Sequence, residues 1–334
     1  MRNRQWIVAA HASGELTPEL WSLAEGEVPS LGPRQLLVRA RWLSVDPYMR
    51  GRLNQAGGVP VGDVMIGSGV GEVVASEHPD WAVGDLVECP QLGWQEYGVV
   101  TPDLPGAARA YRIDPEDPEP WAALSWLGMP GLTAYFAMTE VARPRPGDTV
   151  VVSAAAGAVG QIAGQIAAMA GARVIGVAGS DEKLAWCTKI GFHGTLNYRT
   201  STDLLADVRG LAPAGVDVFF DGTGGPIHDA VLDNLAVAAR VAVVGKVAVA
   251  NEVGGADIGT RASARLIRTR ASLTGFQVYD WWHRRDEAIA RLKAWRAAGQ
   301  LHFREDTTTG FESVPDAFLR MMRGENLGKQ LVKL

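Results

Sequence analysis

The hydrophobic pattern changes character partway along the chain. In the N-terminal part, apolar and polar residues alternate over short stretches bounded by turn formers. Residues 34–46, RQLLVRARWLSVD, alternate as a half-buried strand does. Residues 66–77, IGSGVGEVVASE, carry glycines first and a β-branched tail after them, and the turn-like HPDWAVGD follows. LVECP and YGVVTP read as further strands ended by proline. The opening MRNRQWIVAAHASGEL predicts a strand and makes a poor leader, because its apolar patch is short and soon polar. These pieces predict a compact antiparallel β domain or barrel.

Beyond residue 120 the period lengthens. WAALSWLGMPGLTAYFAMTEVA has helical spacing, and RPRPGD at 143–148 stops it with a turn. TVVVSA, ARVIGVAG, VDVFFDGTGG and ARVAVVGK then read as apolar strands, with GQIAGQIAAMAG and DEKLAWCTKIG as helices among them. Apolar strands separated by helices predict a parallel sheet covered on both faces. Near residue 305 the chain returns to short β-like and helical pieces and ends in GKQLVKL. The expected division is 1–122, 123–304 and a C-terminal segment, 305–334, that rejoins the first domain.

Composition narrows the class. The 334 residues, 47% of them hydrophobic, suffice for two domains. No apolar run reaches the roughly 18–20 residues of a membrane span. A net charge of −5 with no long basic run argues against a nucleic-acid surface. The two cysteines, Cys89 and Cys187, offer no disulfide framework, and the six histidines are scattered without HExxH or a Cys/His cluster. The expectation is a cytoplasmic enzyme with no bound metal.

One stretch carries chemistry. After the strand TVVVSA comes Ala154-Ala155-Ala156-Gly157-Ala158-Val159-Gly160, with Gly164 one turn later. A dinucleotide fingerprint wants glycine where Ala155 stands, but Gly157 and Gly160 hold the later two places. Gly157 lets backbone approach a pyrophosphate, Gly160 lets helix and strand pack closely, and the helix start faces the anion with free amides. Strand, loop, helix and second strand fall in order, which a turn that binds nothing need not show.

The second strand then ends at Ala178-Gly179-Ser180, where an NAD-binding unit carries Asp or Glu for the ribose 2′-hydroxyl. Without that carboxylate, a 2′-phosphate meets no repulsion. Lys183 follows, and further on Tyr198 and Arg199. This points to NADP(H), although spacing alone leaves Lys183 readable as a solvated helix lysine. Asp181 and Glu182 read as first-turn charge behind a Ser180 N-cap.

AAAGAVG, GSDEK, NY at 197–198 and NLGK at 326–329 resemble the zinc-independent medium-chain dehydrogenase/reductases. VDPYMRGR at 45–52 and the pattern of 310–329 resemble the branch of leukotriene B4 dehydrogenase/prostaglandin reductase, plant alkenal double-bond reductases and bacterial curcumin reductase. The resemblance runs over nearly the whole chain. It implies an α/β fold with a GroES-like β-barrel domain and a Rossmann doubly wound parallel sheet domain, the site in the cleft between them, and a homodimer. It implies NADPH-dependent reduction of a carbon–carbon double bond conjugated to a carbonyl, the substrate being a small enone or enal. Carried over, Gly157, Ala158, Val159 and Gly160 cradle the pyrophosphate, and Ser180, Lys183 and Tyr198 meet the 2′-phosphate end. Gly245 lies by the cofactor, Phe276, Gln277 and Val278 near the nicotinamide, and Asn326 back on the cofactor. Tyr48 and Tyr279 line the substrate cleft, with Tyr48 the candidate hydrogen-bond donor to the carbonyl oxygen and the cofactor ribose hydroxyl its rival.

Zinc-dependent relatives carry a cysteine ligand near the DPY segment and a histidine after the glycine of IGSG. Here those places hold Asp46-Pro47 and Ser68. Three further positions depart from the branch. Ala250 stands where a tyrosine is frequent, Lys246 puts a charge beside the cofactor, and Gly222 replaces an asparagine. These departures imply a roomier or more polar pocket. A quinone reductase with the same cofactor and an NADPH-binding protein without turnover are the competing readings. A methyltransferase loop would leave NLGK, Lys183 and the β-rich first part unexplained.

Overall fold

The computed structural model describes residues 2–114, 116–251 and 258–334. The chain forms two compact units, Met1–Gly128 with Glu305–Leu334, and Met129–Arg304. The first opens with β1 (Arg2–Val8) paired antiparallel to β2 (Trp21–Glu27). β3 (Leu36–Ser44) is the hub of its larger sheet. It pairs antiparallel with β4 (Gly69–Ser76), which pairs with β5 (Leu86–Cys89). β6 (Tyr97–Val100) also pairs with β3, and β7 (Tyr111–Ile113) with β5. The alternation seen in 34–46 is real: Leu36, Val38, Ala40 and Leu43 are buried.

The residues expected to form one helix from 121 do not. A 3₁₀ turn, Pro120–Leu124, comes first, and α1 (Met129–Phe136) begins only after a break, running on as a π-helical turn through Ala142. The reason is at Gly128, where a Cβ would lie 1.9 Å from the carbonyl oxygen of Ala123. Only a chain that doubles back there fits, and periodicity cannot see it. Trp121 leaves the helix to pack on Trp42, with ring centroids 4.9 Å apart.

The second unit alternates strand and helix as expected. β8 (Thr149–Ser153), α2 (Gly160–Met169), β9 (Arg173–Ala178), α3 (Asp181–Lys189) and β10 (Gly194–Asn197) form one half. α4 (Leu204–Leu211) crosses to β11 (Val216–Asp221), α5 (Gly225–Leu232), β12 (Leu235–Val243), α6 (Ala262–Thr269), β13 (Ser272–Gly275) and α7 (Arg285–Ala297). Among the described residues the sheet order is β10-β9-β8-β11-β12-β13, every pairing parallel. This is the doubly wound Rossmann order, reversing between β8 and β11.

α2 is buried along most of its length, so its polar residues need partners. Gln161 and Gln165, one turn apart, each bond the backbone of the segment leaving the unit. Gln165 donates to the carbonyl of His302 and accepts from its amide, and Gln161 does the same with Arg304. The chain then re-enters the first unit as β14 (Glu305–Thr309), α8 (Val314–Met322) and β15 (Lys329–Lys333). β15 lies antiparallel beside β3, with Leu331 opposite Ser44 and Val332 opposite Leu43. Phe318 of α8 closes the core of that unit against Trp21 and Trp94, with centroids 5.8 Å away in both cases.

Gly164 on α2 receives the ring of Phe192, and a Cβ there would lie 1.9 Å from its Cζ. Neither the helix nor the buried ring can yield freely. Gly164→Ala is expected to cost about 1–3 kcal/mol, visible as a lowered urea midpoint, with Phe192→Leu partly restoring it in the same background.

Candidate active site

In a parallel sheet every strand ends on the same edge. Where the order reverses, helices leave that edge on opposite faces and open a crevice. The ends of β8 and β11 frame it here. A buried carboxylate holds them together. Asp221 Oδ1 accepts from the amides of Thr223 (3.0 Å) and Gly224 (2.9 Å) and from the hydroxyl of Ser153 (3.3 Å), while Oδ2 meets Nδ1 of His228 at 2.7 Å. Ser153 Oγ in turn accepts from the amide of Gly222 at 2.8 Å. The carbonyl of Asp221 takes the amides of Val244 and Gly245, tying in the end of β12. Three strand ends are thus locked by one residue. Sequence reading passed over Asp221. Its one legible signal was an acid at the end of a strand, directly after the apolar run Val218–Phe220.

The glycine loop leaves β8 from this network. Its left-handed residue is Ala154, at φ 48°, one place before the position where the fingerprint wants glycine. Ala155 is buried, and the space for its methyl comes from β9: a Cβ on Gly176 would lie 3.0 Å from the Ala155 Cβ. The glycine missing from the loop is therefore matched by one across the sheet. At Gly160, where α2 begins, a Cβ would lie 2.3 Å from the carbonyl oxygen of Ala154. The amides of Ala158, Val159 and Gly160 precede the hydrogen-bond ladder of α2, which leaves the helix start suited to an anion.

The end of β9 has no carboxylate aimed along it. Ser180 caps α3, accepting from the amide of Lys183. Asp181 is drawn sideways: its Oδ1 accepts from Asn197 Nδ2 at 2.9 Å, and Asn197 Oδ1 accepts from the amide of Arg199. Tyr198 and Arg199 close over Gly179, where a Cβ would lie 2.9 Å from the tyrosyl oxygen and 3.1 Å from Arg199 Nε. Lys183 is half-buried one turn into α3. A hydroxyl and a guanidinium thus gather where an acid would stand, with Lys183 on the first turn of the helix that follows. Arg199 was noted from the sequence only as the neighbour of Tyr198, since nothing in spacing shows that it folds back over Gly179.

The remaining candidates in this unit follow along the same edge. Gly245 packs on Gly222, and Phe276 continues the ladder by donating its amide to the carbonyl of Val243. Phe276 and Val278 are buried and Gln277 is exposed. Tyr279 is exposed, its ring 6.2 Å from that of Trp282 and its hydroxyl 3.9 Å from the sulfur of Met129. From Tyr198 beyond β10 to Phe276 beyond β13 is five strand spacings, roughly 24 Å. This layout suits an extended two-ended ligand such as a dinucleotide, with its charged end at β9 and β10. The departures fall here too. At Gly222 a Cβ would make only ordinary contacts, the nearest at 3.7 Å, so this glycine leaves room that packing does not require. Lys246 is exposed and Ala250 half-buried.

Tyr48 and Asn326 belong to the first unit. Tyr48 stands exposed on the 3₁₀ turn Pro47–Leu53, and Asn326 precedes β15, its Nδ2 donating to the carbonyl of Gly328.

The chain matches two family models: the N-terminal domain of oxidoreductase over residues 4–105, and zinc-binding dehydrogenase over residues 158–294. It is 35% identical to the NADPH-dependent curcumin reductase of Escherichia coli (strain K12), covering 100% of this chain and 97% of that protein. It is 37% identical to prostaglandin reductase 1 of Bos taurus over 99% and 98% of the two chains. The crystal structure of CurA from Vibrio vulnificus in complex with NADPH superposes with a TM-score of 0.92 at 33% identity, over 99% of this chain and 98% of that one. The chain belongs to the medium-chain dehydrogenase/reductase superfamily, in the branch of the prostaglandin, curcumin and alkenal reductases. Its first unit is accordingly of the GroES-like type and its second of the Rossmann type.

The second model's description raises the question of zinc. Among the described residues no three His, Cys, Asp or Glu side chains converge on one point. Cys89 and Cys187 are buried in different units, and burial pushes both thiols up to about 12. Asp46, at the place of the family's cysteine ligand, is already neutralised by Lys329 Nζ at 2.5 Å. The donor set does not fit the metal.

Removing the Asp221 carboxylate would orphan several buried donors together. Asp221→Ala is expected to lose about 2–4 kcal/mol in urea unfolding. Asp221→Asn, which keeps one acceptor oxygen, should lose less than half of that.

Proposed function

We propose that this chain is an NADPH-dependent reductase of the carbon–carbon double bond in α,β-unsaturated ketones and aldehydes. The observation that carries the reading is the acid-free end of β9, closed by Tyr198 and Arg199 with Lys183 one turn away. In a chain 35–37% identical to curcumin and prostaglandin reductases, that end suits a 2′-phosphate. When bound, NADPH supplies the hydride that adds to the β-carbon, and negative charge then grows on the carbonyl oxygen.

The residues divide the work. The loop Gly157–Gly160 receives the pyrophosphate on backbone amides. Ser180, Lys183 and Tyr198 hold the phosphate-bearing ribose. Gly245, Phe276, Gln277, Val278 and Asn326 position the nicotinamide half. The first unit serves as the substrate and catalytic domain, the second as the NADP(H)-binding domain. Tyr48 donates a hydrogen bond to the carbonyl oxygen, a contribution of ~3 kcal/mol when well aimed, and Tyr279 lines the substrate site. Gly222 leaves space beside the reacting end that an asparagine would fill. Among the described residues no helix is long and apolar enough to cross a membrane. A cytoplasmic location is part of the same proposal.

We also propose a homodimer. Among the described residues β13 is the edge strand of its sheet, and all four of its residues are exposed. Leu273 on that strand, Val237 on the neighbouring β12 and Ile267 on α6 are exposed large apolar side chains. Open edges of this kind invite a second strand, and a two-fold axis lets β13 pair with its own copy. Light scattering should give twice the chain mass, and Leu273→Lys should shift it to one. A wild-type monomer at micromolar concentration would refute this.

The function is tested by following NADPH absorbance with 2-cyclohexenone, curcumin, a 15-oxo-prostaglandin and a benzoquinone. Consumption with formation of the saturated ketone supports the reading; consumption with the quinone alone would replace it by a quinone reductase. A charge-assisted bond to phosphate is worth roughly 1.5–3 kcal/mol. Lys183→Ala should therefore weaken NADPH about ten- to a hundredfold and leave NADH unchanged. Equal losses for both would remove Lys183 from the phosphate.

A further inference from the structure

The first unit buries a lysine that lies outside the residues proposed above for the cofactor. Lys329 is 1% exposed, and its Nζ donates to the carbonyl of Val45 at 2.8 Å and to Asp46 Oδ1 at 2.5 Å. The other oxygen of Asp46 accepts a short hydrogen bond from Ser44 Oγ. The pair follows from the β3–β15 ladder. Leu331 lies opposite Ser44, so continuing that register sets Lys329 opposite Asp46, although 283 residues separate them. Burial pushes the ammonium's pKa down from that of an ordinary lysine, and Asp46 pulls it back up.

Asp46 is the N-cap residue of the 3₁₀ turn that carries Tyr48, and its carbonyl accepts the amide of Met49 to close the turn's first loop. A second buried cation holds the far end. Arg50 donates from its two terminal nitrogens to Asn54 Oδ1 and the carbonyl of Gly14, both at 2.8 Å. The turn is thus fastened at entry by Lys329 and at exit by Arg50, while Tyr48 between them stands exposed. A buried ion pair is a weak stabiliser, since an apolar pair of the same volume is often as stable. What it adds is direction: an ammonium with two fixed acceptors sets the turn's position where apolar packing would let it slide.

We propose that Lys329, acting through Asp46, is a positioning residue that sets the turn presenting the Tyr48 hydroxyl. The inference rests on the reading of Tyr48 as donor to the substrate carbonyl. It also gives NLGK and VDPY, at opposite ends of the chain, one shared physical task.

The test is a double-mutant cycle in the full-length enzyme, comparing Tyr48→Phe with the apolar replacement Asp46→Leu/Lys329→Met. The replacement is expected to melt near the wild type and to bind NADPH within about twofold of it. Its kcat should still fall at least about thirtyfold, because a misplacement of a reacting group by about 1 Å can cost up to a hundredfold. Tyr48→Phe should lower kcat roughly a hundredfold in the wild type, and less than about threefold in the replaced background. An equal fall in both backgrounds would overturn the positioning role while leaving Tyr48 as donor. No fall in either would overturn the reading of Tyr48, and this inference with it. Should the double replacement fail to fold, Asp46→Asn, which keeps the shape and one acceptor, carries the same cycle, and the same outcomes support or overturn the positioning role.

Discussion

Parallel pairing is the constraint on which the second unit depends. It sends every strand to end on one edge, and the reversal between β8 and β11 opens that edge at its centre. Loops scattered over more than a hundred residues are thereby strung in spatial order. The phosphate-friendly end of β9 falls on one side of the crevice, and the Phe276–Val278 segment on the other. None of these residues needs a neighbour in sequence, because the sheet supplies the neighbourhood.

Opening such an edge exposes backbone that must be satisfied, and the molecule meets this with few buried polar groups. Asp221 gathers the donors of the β11 turn and reaches Ser153 across the crevice. Gln161 and Gln165 treat the departing chain as a strand would. In the first unit Lys329 and Asp46 do the equivalent for the turn of Tyr48. Each is buried and hydrogen-bonded to its neighbours, and Asp221 and the Lys329–Asp46 pair fix backbone beside candidate site residues. Buried polar groups with such bonds specify position more than they add stability.

The compensation at Ala155 shows how a motif can be incomplete and its loop intact. The fingerprint tolerates a methyl there because β9 carries Gly176 opposite it, and the left-handed strain sits on Ala154 instead. A local motif records one solution to a packing problem that two strands share. Gly222 is the converse case, a glycine that packing does not demand and that leaves space beside the crevice.

The alternating apolar period of 34–46, the apolar strands after residue 148 and the glycine loop by themselves determined the two kinds of layer, the parallel sense of the second sheet and the acid-free end of β9. These follow from period and local turn chemistry, which act between residues near in sequence. The break at Gly128 was invisible, because it depends on one carbonyl oxygen passing under a missing side chain. So were Asp221 as a hub, Arg199 folded over Gly179, and Lys329 seated on Asp46. Each arises from contacts that only strand order and register bring together, and a buried charge reads in sequence like an exposed one. Local propensity chose the elements; the burial of polar groups against distant partners chose where the candidate site residues stand.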